Sequence, residues 1–212
     1  MGKGWLRKMG KGFDFRKPKH QDYRAFLDKV LKTIRQTNCN QQAVEQLLRE
    51  NLDKLDDKFA QVLRNWAMAK LPELESQQAQ YLAGNIGNFS NLIKNFPLGN
   101  WADNREIAIT GYEIIATIFT REALPQKWAT LQNQLGHAYL NRIQGKRAEN
   151  LETAITYFNV ALEVYKHEDK NFCEQWATIQ NNLGEAYRNR IRGEKPKNLE
   201  TAIIAKAIFV RT

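Results

Sequence analysis

One stretch of this chain is written twice. WATLQNQLGHAYLNRIQGKRAENLETAI, from Trp128 to Ile155, recurs as WATIQNNLGEAYRNRIRGEKPKNLETAI from Trp176 to Ile203, with 19 of 28 positions identical and an ungapped offset of 48 residues. Such a period constrains the fold more than any composition can: a single copy cannot bury its apolar face alone, so neighbouring copies must stack to complete a core. An older copy lies at an offset of 46, where Asn95, Gly99, Ala102, Asn104, Glu106, Ala108, Ile109 and Thr110 stand opposite Asn141, Gly145, Ala148, Asn150, Glu152, Ala154, Ile155 and Thr156. The array is expected to have three units, at about 78–123, 124–171 and 172–212, the last incomplete.

Each unit reads as two antiparallel helices. In the first, Leu135, Ala138 and Tyr139 fall three and four apart on one face, and Gly136 leaves room for a close helix neighbour. The second is expected to start after Asn150 or Asn198 as N-cap, with a glutamate two residues on near the positive end of the helix dipole. Its apolar stripe is Ala154, Ile155, Phe158, Ala161, Leu162 and Tyr165, and Gly145 or Gly193 is expected to end the first helix.

Leu135-Gly136, Tyr139, Ala154, Phe158 and Ala161 resemble the tetratricopeptide (TPR) repeat signature, and Leu183-Gly184, Tyr187 and Ala202 repeat its first four positions. The usual period is about 34 residues, and a longer inter-helix turn with longer helices accommodates the difference. More closely, the chain is similar over residues 21–203 to the long-period TPR proteins of cyanobacteria, which carry phrases such as AENLETAI, EQWATIQNNLGEAYRNRIRGE and NLDKLDDKFAQVLRNWA. The resemblance implies an all-α fold, a right-handed α-α superhelix whose concave wall takes extended or helical peptides. In that group the array is often followed by a caspase-like (CHAT) peptidase domain or a nucleotide-binding signalling domain, and neither occurs in these 212 residues.

Residues 21–77 lack the repeat signature and read as an N-terminal helical cap. Tyr23, Phe26, Leu27, Val30, Leu31 and Ile34 form one helical pattern; a second runs from Leu47 through Leu55, Phe59, Leu63 and Trp66 to Ala67 and is closed by Pro72. Residues 1–20 form a basic arm with seven Lys and Arg against one Asp, so it holds +6 of the chain's +9. Trp5, Phe13 and Phe15 interleave with these charges, which makes nucleic-acid or anionic-membrane attachment the alternative function. At the other end Lys206 stands in the register of Phe158, and Ile203, Ile204, Ile208, Phe209 and Val210 are followed by no polar capping helix. That end is expected to be adhesive, either because the chain is a truncated or frame-altered relative of a longer protein or because it self-associates, and a further alternative function is that of a regulatory or sensor fragment of a larger peptidase or signalling protein.

Little here supports catalysis. Cys39 and Cys173 share no close spacing, and His20, His137 and His167 make no zinc pattern, so no metal site, a reducing environment and a cytoplasmic location are expected. The most apolar stretch, Ile107 to Phe119, is too short to cross a bilayer, and Gly10, Lys11, Gly12 and Asp14 interrupt any export signal. His137 has no nucleophile tied to it by spacing, Asp56-Asp57 sit among lysines as solvated charge, and no phosphate loop or dinucleotide fingerprint occurs. No enzyme activity, catalytic residue, cofactor or small-molecule substrate is expected.

The expected function is that of a protein–protein interaction scaffold. Its groove residues are Thr130, Asn133, His137 and Asn141 in one unit, then Thr178, Asn181, Glu185, Arg188 and Asn189 in the next. Amides suit a peptide backbone because each offers donors and an acceptor without fixed charge. A basic rim is expected along the turns from Arg142, Lys146, Arg147, Arg190, Arg192, Lys195 and Lys197, suited to an acidic partner.

Overall fold

A computed structural model describes residues 19–165 and 172–210, with side chains through 203. Among the described residues the chain is all-helical. Three helices, α1 (His20–Gln36), α2 (Gln41–Arg49) and α3 (Asp57–Lys70), precede three helix pairs: α4 (Ser76–Asn95) with α5 (Trp101–Ala116), α6 (Pro125–Leu140) with α7 (Arg147–Leu162), and α8 (Cys173–Asn189) with α9 (Lys195–Val210). The members of each pair pack on one another, and α5 packs on α6 as α7 does on α8.

The pattern from Leu47 to Ala67 is two helices rather than one. A short 3₁₀ turn at Leu52–Lys54 interrupts it, and the Asp56 carboxylate restarts the chain as N-cap of α3 by accepting the backbone N–H groups of Lys58 and Phe59 at 3.0 and 3.1 Å. Asp56 also accepts a 2.6 Å hydrogen bond from the hydroxyl of Tyr23, tying α1 to the start of α3. The expectation of solvated charge at Asp56 is therefore corrected.

Among the described residues, two apolar clusters fill the interior. The first joins α1–α3 to α4, α5 and part of α6; in it the Phe26 and Phe59 rings lie 4.9 Å apart and Phe59 meets Phe89 edge-on at 5.9 Å. Burying a phenylalanine contributes about 1.5–3 kcal/mol, so this aromatic column ties the helices before the repeats to the first repeat. The second cluster fills the space between α6, α7 and α8 around Phe158, Trp176 and Leu183.

The turns inside the three pairs are alike. Gly99, Gly145 and Gly193 have φ of +82°, +79° and +81°, a left-handed conformation that favours glycine. Five residues on, Asn104, Asn150 and Asn198 are each buried. Their side-chain amides donate to the carbonyls of Leu98, Gln144 and Arg192 at 2.9, 2.8 and 2.9 Å, and Asn104 reaches the Phe96 carbonyl as well. Asn150 and Asn198 are thus not N-caps. They lie inside the first turns of α7 and α9 and reach back to close the loop before them. Likewise Gly145 and Gly193 lie beyond the ends of α6 and α8, at Leu140 and Asn189, and do not terminate those helices.

Gly136 marks close packing, as its sequence context implies. A Cβ there would meet the ring of buried Phe158 at 2.6 Å. In the first pair the relation is reversed: Ser90 stands in the register of Gly136, and Gly111 across from it provides the room, since a Cβ at 111 would lie 2.0 Å from the Ser90 hydroxyl.

Candidate binding groove

The first helices of the second and third pairs, α6 with its C-cap Asn141 and α8, carry the expected groove residues. On α6, Thr130 is exposed and its hydroxyl lies 2.8 Å from that of Tyr165; Asn133 is half-buried; His137 is exposed; and the Asn141 amide donates to the His137 carbonyl at 3.0 Å. On α8, Thr178, Arg188 and Asn189 are exposed and Asn181 and Glu185 half-buried, with Arg188 and Glu185 4.0 Å apart.

Part of this amide set holds neighbouring helices together. Asn182 donates to the Asn133 side-chain oxygen at 3.0 Å across α8 and α6. Gln134 and the Tyr112 hydroxyl both donate to the Asn91 side-chain oxygen, at 3.3 and 2.7 Å, across α6, α5 and α4.

A mostly apolar concavity lies one unit earlier than the expected residues. Between α4 and α6, floored by Ile115, Phe119 and Leu131, is a cavity of about 300 Å³ with mostly apolar walls. Thr130 is the one expected groove residue that lines it; Gly84, Gly87, Asn88, Asn91, Gln126 and Gln134 supply most of the rest of its edge. The signal was present in the register. At an offset of 46, Gly84 stands opposite Thr130 and Gly87 opposite Asn133, so two side chains of the later units are missing from this wall. A Cβ on Gly84 would meet nothing within 4 Å.

What remains available at the edge is amide. With the Asn91 oxygen engaged, its NH₂ group has no hydrogen bond among the described residues, and neither do the side chains of Asn88 and Gln126. The Lys127 ammonium lies 5.2 Å from the centre of the Phe119 ring. Elsewhere, Lys94, Trp101 and Arg105 line a smaller cleft of about 220 Å³, with the Arg105 guanidinium 5.7 Å from the Trp101 ring. Burial pushes the Lys94 ammonium below its ordinary value. Partial desolvation also pushes the imidazole of His137 down although the residue keeps an exposed edge, an effect that Lys94 and Arg105 reinforce and Glu185 opposes. Lys94 and Arg105 thus place positive charge near His137.

The rim residues are spent unequally. Arg142 forms two parallel hydrogen bonds to Glu106, at 2.8 and 2.7 Å, and Arg190 does the same to Glu152, both at 2.8 Å. Each joins the turn of one unit to the second helix of the unit before it. Arg147 donates to the Leu140 carbonyl, Lys146 pairs with Glu149 at 3.1 Å and Lys197 with Glu194 at 3.1 Å. Arg192 and Lys195 are exposed with no ion pair among the described residues. Arg142 and Arg190 hold units together and do not offer a free basic edge.

Residues 1–18 of the basic arm, with Trp5, Phe13 and Phe15, lie outside the described residues, as do the side chains of Ile204, Lys206, Ile208, Phe209 and Val210. Lys19 is N-cap of α1 and His20 its first residue, so the end of the proposed arm belongs to the helical body. Among the described residues no group of three His, Cys, Asp or Glu side chains is placed to hold a metal ion, and no helix is long and apolar enough to cross a membrane. No protein-family model, no curated protein and no solved structure matches the chain.

Proposed function

We propose that the chain is a repeat scaffold of the TPR type that holds an extended segment of a protein partner in the groove between α4 and α6. An apolar side chain of the partner enters the cavity over Ile115 and Phe119, while Asn88, Asn91 and Gln126 pair with the backbone on either side of it. The observation that carries this reading is the pair of glycines at 84 and 87, which opens about 300 Å³ of apolar space beside amides that have no other work. A peptide backbone needs both donors and acceptors, and a neutral amide supplies both without the desolvation penalty of a charge. The family reading rests on the three equivalent turns and on the Gly136–Phe158 contact, which fit a stacked array of like units.

The test fills the groove with the chain's own residues. Peptides selected from a random display library on the wild-type protein are measured against the double variant Gly84→Thr, Gly87→Asn, which imports the side chains of the next unit. The expected result is at least a tenfold loss of affinity with an unchanged melting temperature, since Gly84 faces open space and Gly87 meets only the tip of Ile115 at 3.2 Å. Undiminished binding to the filled groove would remove the assignment.

A further inference from the structure

The turns inside the helix pairs carry an exposed apolar residue at one register position. Pro97, Ile143 and Ile191 stand opposite one another at the repeat offsets, and all three are exposed, the isoleucines by 56% and 62%. One exposed isoleucine is ordinary, but the same residue recurring at two turn tips forms a patterned surface. Ile143 lies in the middle pair, with a packed pair on either side, so its exposure belongs to the turn itself. Stacking sets the tips in a row. Arg142 of the second turn reaches Glu106 near the start of α5, just past the first turn, and Arg190 of the third reaches Glu152 near the start of α7, just past the second. In the first turn Trp101, at the position of Arg147 and Lys195, adds an indole that is 59% exposed.

Cations surround these tips. Residues 141–149 hold three Lys and Arg against one Glu, and residues 189–197 hold four against one. Lys146 and Lys197 pair with Glu149 and Glu194, and Arg142 and Arg190 are engaged across the units. Arg147, Arg192 and Lys195 are exposed and form no ion pair among the described residues, and Lys94 and Arg105 beside Trp101 form none either.

We propose that this row of turns docks on an anionic lipid surface. Ile143, Ile191 and Trp101 enter the headgroup boundary, where an apolar side chain leaves water and an indole is at home, while the cations beside them meet lipid phosphates and carboxylates. The combination selects the occupant. Charge alone would suit any polyanion, but isoleucine offers a nucleic acid neither a stacking face nor a hydrogen bond. The attachment is peripheral, and it uses none of the residues that line the cavity between α4 and α6.

The test sediments the full chain with vesicles of phosphatidylcholine alone, or of three parts phosphatidylcholine to one part phosphatidylserine. Binding is expected to the serine-containing vesicles and should weaken steeply as salt is raised. Ile143→Ser with Ile191→Ser, and separately Arg192→Glu with Lys195→Glu, should each lower the partition at least tenfold. The melting temperature should not change, because all four side chains are exposed. Lys3→Glu, Arg7→Glu and Lys8→Glu together, in the basic arm, separate the edge from the arm: binding should persist in this variant and still depend on the two isoleucines. The proposal is overturned if the wild-type chain does not bind the anionic vesicles, or if the isoleucine variant binds as well as wild type. It is equally overturned if binding is lost with the arm charges and kept in both edge variants.

Discussion

At the scale of single residues, the glycines divide by what surrounds them. Gly136 faces the Phe158 ring at 2.6 Å for any added Cβ, while Gly84 faces nothing within 4 Å. Both lie inside helices, where alanine is favoured over glycine by about 1 kcal/mol. Gly136→Ala must still displace a fully buried ring, and overpacking of that kind costs about 1–3 kcal/mol. Urea denaturation should therefore show Gly136→Ala destabilising the protein by about 1–2 kcal/mol and Gly84→Ala stabilising it by up to about 1 kcal/mol. Equal effects at the two sites would contradict the packing described. Gly136 was legible in the sequence because a small residue between Leu135 and Tyr139 on an apolar face has one common reason. The role of Asn150 was not. An asparagine near a helix start reads as a cap, and only the backbone path shows that the helix begins at Arg147 and the amide reaches back to Gln144.

At the scale of elements, the three pairs are joined by side chains that repeat as faithfully as the core does. The Arg142–Glu106 and Arg190–Glu152 pairs are about three-quarters or more shielded from solvent, unlike Lys146–Glu149 on the surface. Exposed pairs contribute about 0–1 kcal/mol, and the shielded bidentate pairs should exceed that. Double-mutant cycles on Arg190–Glu152 should give a coupling of about 1–2 kcal/mol against near zero for Lys146–Glu149. The hydrogen bonds from Arg190 hold the Glu152 carboxyl below its usual range. Its contribution is then fully present above the ordinary glutamate value of about 4.3 and is lost as pH falls through the lower folded value. A cycle repeated at pH 3 should show a smaller coupling; an unchanged one would mean that the pair is not ionic. Both members of each pair recur at the repeat offsets, so the bridge was readable in principle, but turn arginines resemble solvated charge until a carboxylate is placed opposite them. The split between α2 and α3 was hidden for a related reason. Apolar spacing continues across Leu52 and Leu55, and the break comes from Asp56, whose capping and tyrosine contacts depend on where α1 lies.

At the scale of the whole molecule, helices before the repeats supply the wall that the first repeat lacks, through the Phe26–Phe59–Phe89 column, and the repeats then cover one another in turn. The all-helical class and the packing of neighbouring helices could be read from periodicity and self-similarity. The location of the groove between α4 and α6 could not be read from the most similar copies. It lies in the most diverged unit, where the glycines at 84 and 87 replace side chains that the later units keep. The central claim is that this groove is the working surface. Its most direct test is amide chemical-shift mapping of the full chain with a peptide selected from a display library. The account predicts perturbations centred on Gly84, Gly87, Asn88 and Gln134. Perturbations confined to the turn edge at Arg192 and Lys195, or to α8 alone, would contradict it.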